Sequence, residues 1–172
     1  MHPIIFLDID GVLHPLKTNN CPALDHHLNQ KLAAEHKDPA FLKLNIYFTN
    51  LVYYGFDHTA CMLLKKLVDE FNAQIVLTSS WRLIYSRREL YYLFKILHLE
   101  YAFIGTTKKS TPRFQVIQEY IDFHQIYSYI IIDDADLQKY FEYHTIKTIN
   151  SFCDSDYLKA RNLLLLQYAK TH

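Results

Sequence analysis

The chain has 172 residues, half of them hydrophobic, with 18 basic and 18 acidic side chains and a formal charge of zero. That apolar content excludes a disordered chain, and the balanced charge excludes bulk attraction to nucleic acid or anionic lipid, leaving room only for a local basic groove. Its length sets a single domain over residues 1–172 as the expectation.

The first element is a strand. Ile4, Ile5, Phe6 and Leu7 form an apolar run too brief for a lone helix and typical of a strand buried on both faces. Asp8 and Asp10 follow, and Gly11 turns the chain. Residues two apart on an extended backbone project to one side, so both carboxylates face one point beyond the strand. Side by side there they repel and lose hydration. A cation between them removes that penalty, and oxygen ligands suit Mg²⁺. Residues 14–57 are the least regular, broken by His14-Pro15, Asn19-Asn20, Pro22 and Asp38-Pro39. Leu24, Leu28 and Leu32, four apart, predict a short helix, and 41–54 reads as a helix or an irregular lid segment. A structureless loop this long is unusual, so 14–57 is expected to be a small cap inserted after the first strand.

Asp57 is placed to cap a helix over 58–72 whose apolar face holds Cys61, Leu64, Leu67, Val68 and Phe71. A second strand over 73–79 ends in hydroxyls: Thr78, Ser79 and then Ser80. Ser86 starts a helix through His98, and 101–104 is a third strand. The polar connection 105–112 carries Thr106, Thr107, Lys108, Lys109, Ser110 and Thr111, and Pro112 suits the first turn of a helix with Phe114, Ile117, Tyr120 and Ile121 inward. The apolar run 128–132 is a fourth strand that delivers Asp133 and Asp134, two consecutive acids that need a metal or water to be tolerated there. A short helix over 136–143, an edge strand over 144–149 and a helix over 155–168 with Leu158, Leu163 and Leu166 inward complete the chain.

Alternating strands and helices predict an α/β fold with a buried parallel sheet and right-handed crossovers. Three strands each deliver polar residues at the C-terminal end, which is where open α/β sheets place their active sites. Cys21, Cys61 and Cys153 are odd in number and lack a CxxC, so a disulfide framework is not expected and a cytoplasmic protein is. No apolar run reaches about 18 residues, and the start of the chain lacks the pattern of a signal peptide, so no membrane association is expected. His26-His27, His36 and His58 lack zinc-site spacing and read as surface or cap residues, while His14 is close enough to the first acids to touch substrate. Nucleotide-binding glycine fingerprints and a serine-hydrolase elbow are absent.

The run Asp8-Ile9-Asp10-Gly11-Val12-Leu13 resembles the first motif of the haloacid-dehalogenase-like (HAD) superfamily, most of whose members are Mg²⁺-dependent phosphatases. Ser79-Ser80-Trp81-Arg82 and Asp133-Asp134 complete the pattern, which is similar to a small group with an SSWR second motif that includes HAD domains of RNA-repair-associated proteins. The resemblance implies a HAD-like Rossmannoid three-layer sandwich, mainly parallel, with its cap at 14–57. It implies Asp8 as nucleophile and Asp10 as general acid and base. Thr78, Ser79 and Ser80 compete to hold the phosphoryl group: the motif favours Ser79, and the length of the apolar run favours Thr78. Lys108, Lys109 and Arg113 compete for the balancing cation, with the pattern favouring Arg113. Trp81 is expected to be structural, and Arg82 either to hold its loop or to meet phosphate. Mg²⁺ would take Asp8, the main-chain carbonyl of Asp10, Asp133 and its partner Asp134.

The implied activity is a Mg²⁺-dependent phosphohydrolase acting through an aspartyl-phosphate on a small phosphorylated metabolite, a nucleotide or a nucleic-acid end, the last without support from net charge. The alternative of a different class is a catalytically weak or inactive HAD-like binding protein that uses Tyr47, Phe48, Tyr53, Tyr54 and Phe56 as an exposed patch. Packed aromatics would favour an enclosed pocket, and a contiguous exposed patch an interaction surface.

Overall fold

Five short runs pair into one parallel sheet in a computed structural model that describes residues 2–17, 23–110 and 112–171, with side chains through 169. Asn19, Asn20, Cys21, Pro22 and Thr111 lie outside the described residues. The strands are β1 (Ile4–Leu7), β2 (Gln74–Leu77), β3 (Phe103–Thr106), β4 (Tyr129–Asp133) and β5 (Thr145–Lys147), in the order β3-β2-β1-β4-β5. The helices are α1 (Leu28–Glu35), α2 (Ile46–Gly55), α3 (His58–Phe71), α4 (Trp81–Ile84), α5 (Arg87–Ile96), α6 (Arg113–His124) and α7 (Asp154–Thr171).

Strand alternation divides the core between two faces of the sheet. Ile5, Leu7, Ile75, Leu77, Ile130 and Ile132 pack with the insertion, α3, α5 and α7. Ile4, Phe6, Val76 and Ile131 pack on the other side with Ile117 and Ile121 of α6. This is an α/β sandwich around a parallel sheet, as the motifs implied. Helix α3 begins where the Asp57 carboxylate accepts from Ala60 N at 3.1 Å, and it ends at left-handed Asn72. Its fully buried Leu64 and Leu67 each contribute about 1.5–3 kcal/mol. Helix α5 begins in a capping box between Ser86 and Glu89. Burial pushes the Cys61 thiol up to about 12, the state of an inert packing residue.

The insertion is helical and shares the core. Leu28, Leu32, Phe41, Leu44, Phe48 and Val52 join the cluster that holds Leu90, Leu93 and Phe94 of α5. Polar ties reinforce the seam: Lys95 Nζ reaches Asp38 Oδ2 at 2.6 Å, and Tyr92 OH donates to the same oxygen at 3.0 Å. The first helix starts at Leu28 rather than Leu24, which is only half-buried. The aromatics Tyr47, Phe48, Tyr53, Tyr54 and Phe56 do not act as one patch, because Phe48 and Phe56 are buried while Tyr47, Tyr53 and Tyr54 are exposed.

Two other expectations are corrected. Residues 136–143 form turns rather than a helix: Leu137 O accepts from both Tyr140 N and Phe141 N, and left-handed Tyr143 then diverts the chain. Leu137 and Phe141 are four apart because one turn buries both, so their spacing imitates a helix. In α7 the buried hydrophobic side chains are Tyr157, Ala160 and Leu164, whereas Leu158 and Leu166 are exposed. No described helix is long and apolar enough to cross a membrane.

Candidate active site

The register of the sheet assembles the site. Leu7 pairs with Leu77 on one side and Ile132 on the other, so the next residues of the three strands, Asp8, Thr78 and Asp133, meet at one edge. Main-chain bonds lock the alignment: Asp8 N donates to Ile132 O at 3.0 Å and Thr78 N to Leu7 O at 2.8 Å. Asp8, Thr78, Ser79 and Asp133 are all buried, a concentration of polar groups that a folded core carries only with partners.

Beyond Asp8 the chain reverses at once, and Ile9 O accepts from the amides of Val12, Leu13 and His14. Gly11 sits in this reversal at φ +74°, and a Cβ there would lie 2.7 Å from Asp134 Cβ. Glycine therefore supplies both the left-handed backbone and the space that lets the 133–134 turn close. Gly11→Ala is expected to destabilise the protein by about 2–3 kcal/mol, read as a fall in Tm, and to weaken Mg²⁺ binding as Asp134 is displaced. An alanine variant with parental Tm and parental Mg²⁺ affinity would contradict this account.

Asp10 takes a separate position. Its Oδ2 accepts from Trp81 Nε1 at 3.0 Å, its Oδ1 lies 2.9 Å from His14 Nδ1, and its side chain is 43% exposed. Trp81 thus holds the Asp10 carboxylate as well as packing, its ring lying against Phe56 and Tyr85. No local spacing points to this bond, which joins residues 71 apart.

Arg113, the first residue of α6, inserts between the acids. Its Nη1 donates to Asp8 Oδ2 and to Asp133 Oδ1 and Oδ2 at 2.7 and 2.6 Å. Burial opposes the Arg113 charge, but the Asp8 and Asp133 carboxylates outweigh it and raise its pKa. Lys108 points away, paired with Glu119 at 3.0 Å and well exposed, and Lys109 is exposed at the rim of a neighbouring cleft. Among the hydroxyls, Thr78 Oγ1 turns back to donate to Leu7 O at 3.0 Å, Ser80 is exposed, and Ser79 is buried with its side chain bonded to Asp8. Arg82 holds loops: it donates to Thr78 O, to Ser79 O at 2.8 Å, to Lys108 O at 3.1 Å and to Ser110 O at 3.0 Å.

Asp8, Asp133 and Asp134 bring carboxylate oxygens within 4.8 Å of one another, and the side chain of Asp10 is not part of this group. Burial raises the Asp8 pKa against the pull of Arg113 and Ser79, and burial followed by the Asp8 charge pushes Asp133 up to about 6. Two buried carboxylates share one guanidinium and half-buried Asp134 lies beside them, which leaves excess negative charge, the situation a divalent cation relieves. The donors are all oxygen and suit a hard ion of the Mg²⁺ type. The sign of the pH effect follows. A folded-state pKa of about 6 lies above the ordinary 3.8, so without metal Asp133 favours the folded state at low pH, and that advantage disappears as pH rises through about 6. A bound dication reverses the balance. Mg²⁺ is therefore expected to raise Tm by about 4 °C at about pH 7.5 and by much less at about pH 5. Equal shifts at both pH values would mean that the carboxylates do not bind the ion.

A family profile described as "HAD domain in Swiss Army Knife RNA repair proteins" matches residues 4–152. A solved haloacid dehalogenase-like family hydrolase from Streptococcus pneumoniae aligns over 98% of this chain and 98% of its own, at 18% identity and a TM-score of 0.44. No curated protein matches.

Proposed function

This chain belongs to the family of HAD domains in Swiss Army Knife RNA repair proteins, and from that premise we propose that it is a Mg²⁺-dependent phosphatase that removes the terminal phosphate of a nucleic-acid strand. Phosphohydrolase chemistry is general to the superfamily; the substrate is the new element. The observation that carries the reading is the contact of Arg113 with both Asp8 and Asp133 at the strand ends, with Asp134 beside them.

An Asp8 oxygen attacks phosphorus as the bond to the leaving oxygen breaks, giving an aspartyl-phosphate. Ile9 N, 2.8 Å from Asp8 Oδ1, holds the carboxylate in place. Asp10 gives its proton to the leaving alkoxide and then takes one from the water that attacks the aspartyl-phosphate, so phosphate leaves and both acids are restored. Trp81 and His14 fix the two Asp10 oxygens during this exchange. Ser79 Oγ and the Arg113 guanidinium bind phosphoryl oxygens as charge develops on them. Asp8, Asp133 and Asp134 would hold Mg²⁺, which would supply further neutralisation of that charge.

The rest of the substrate lies along a cleft of about 250 Å³ lined by Arg82, Tyr85, Arg87, Lys109 and Tyr120, among others. Tyr85 packs on Trp81, which ties the cleft to Asp10. Two exposed cations and two aromatic rings suit a phosphodiester chain with its bases, a local basic groove on a neutral protein. The insertion borders the site through Gly55 and Phe56 against His14, and residues 14–57 serve as its cap. The test is phosphate release in Mg²⁺ from 3′- and 5′-phosphorylated oligonucleotides, mononucleotides and sugar phosphates. An oligonucleotide kcat/KM at least about tenfold above that of the mononucleotide, lowered by Arg87→Ala and by salt, is expected. Mononucleotides or sugar phosphates turned over equally well would replace the nucleic-acid end with a small metabolite.

A further inference from the structure

We infer that Glu35, His36 and His98 form a second metal site, for a divalent ion of the zinc class, that clamps the insertion to the end of α5. Glu35 is the last residue of α1 and His36 its C-cap, and His98 follows α5 in a left-handed conformation. The ligand atoms of the three side chains lie within 4.8 Å of one another. His98 Nε2 is 3.5 Å from Glu35 Oε1, and the two imidazoles stack at 4.9 Å.

His36 caps its helix, as the sequence suggests, but it is also half-buried with its ring between Phe41 and His98. Its Nε2 is closed off from solvent and, among the described residues, has no hydrogen-bond partner; Glu100 Oε2 is in the same condition. Buried polar atoms of this kind ordinarily have a partner, and a cation bound by the three side chains would supply one to the His36 imidazole. A stacked histidine pair with an ion pair to Glu35 explains the contact between the rings but leaves the nitrogen unsatisfied.

The donor set selects the ion. Two imidazole nitrogens and a carboxylate are zinc-class ligands and poor ones for Mg²⁺, in contrast to the all-oxygen group at Asp8. Two helix C-termini, those of α1 and α5, also end at this point, and their partial negative charge favours a cation. The site therefore joins the two elements that the Asp38–Lys95 pair also joins, and it is independent of the catalytic chemistry.

Calorimetric titration with Zn²⁺, in excess Mg²⁺ to occupy the carboxylate group, reads the proposal directly. The parent protein is expected to take up one Zn²⁺ per chain and to gain about 4 °C in Tm. His98→Asn and His36→Asn should weaken that binding by at least about tenfold, with Mg²⁺-dependent phosphate release unchanged. His98 is exposed, so its variant keeps the fold even if His36→Asn does not, and equal Tm values in chelator verify this. Equal Zn²⁺ affinity in the parent and in His98→Asn overturns the inference, as does a parent protein that takes up none.

Discussion

In Asp8→Asn, phosphate release from an aryl phosphate falls by about a thousandfold or more while the protein stays folded. The carboxamide has the shape of the carboxylate, and its oxygen can still accept from Ile9 N at the 2.8 Å position of Asp8 Oδ1. What it lacks is a nucleophilic oxygen bearing charge. Its NH₂ group also faces Arg113, which then keeps only its contacts to Asp133. The stability effect runs opposite to the activity effect. Burial raises the Asp8 pKa, so in the absence of metal the ionised group opposes folding at neutral pH, and its removal should leave Tm in chelator equal to the parent's or higher. The Mg²⁺-induced rise in Tm should shrink in the same variant. Turnover equal to the parent's would remove Asp8 from the nucleophile's role; a variant that unfolds in chelator would show instead that the charge holds the loops.

The site could be read from the sequence wherever a strand ends in chemistry. The runs before Asp8, Thr78 and Asp133 are apolar and uninterrupted, and parallel pairing with no register slip brings the following residues to one edge. Local pattern carried no such signal for the contacts that organise these residues. The Trp81–Asp10 bond spans 71 positions, and the commitment of Thr78 Oγ1 to Leu7 O depends on a neighbouring strand. The choice between Lys108 and Arg113 becomes physical only when α6 places Arg113 over the acids and Glu119 draws Lys108 outward. In α7 the unbroken run Leu163 to Leu166 conceals which side faces the core, so Tyr157, Ala160 and Leu164 emerge only on packing. His36 and His98 likewise meet only because α1 and α5 end side by side.

Arg82→Ala is expected to destabilise the protein by about 3–5 kcal/mol, lowering Tm by roughly 10 °C. Arg82 is 3% exposed, and its guanidinium bridges two loops: Thr78 and Ser79 after β2, and Lys108 and Ser110 before α6. Four carbonyls converge on one cation, and alanine removes the side-chain donor they share, leaving Ser79 O and Lys108 O only the main-chain donors Arg82 N and Ser110 N. Activity follows geometry, because one loop carries Ser79 and the other leads into Arg113; a shift of about 1 Å between them lowers kcat by about a hundredfold. Arg82→Lys separates charge from shape. An ammonium keeps the charge but cannot direct planar donors at both loops, so the lysine variant should recover only part of the Tm and little of kcat. Full recovery by lysine would reduce Arg82 to a point charge, and parental Tm in the alanine variant would show that the loops hold one another without it.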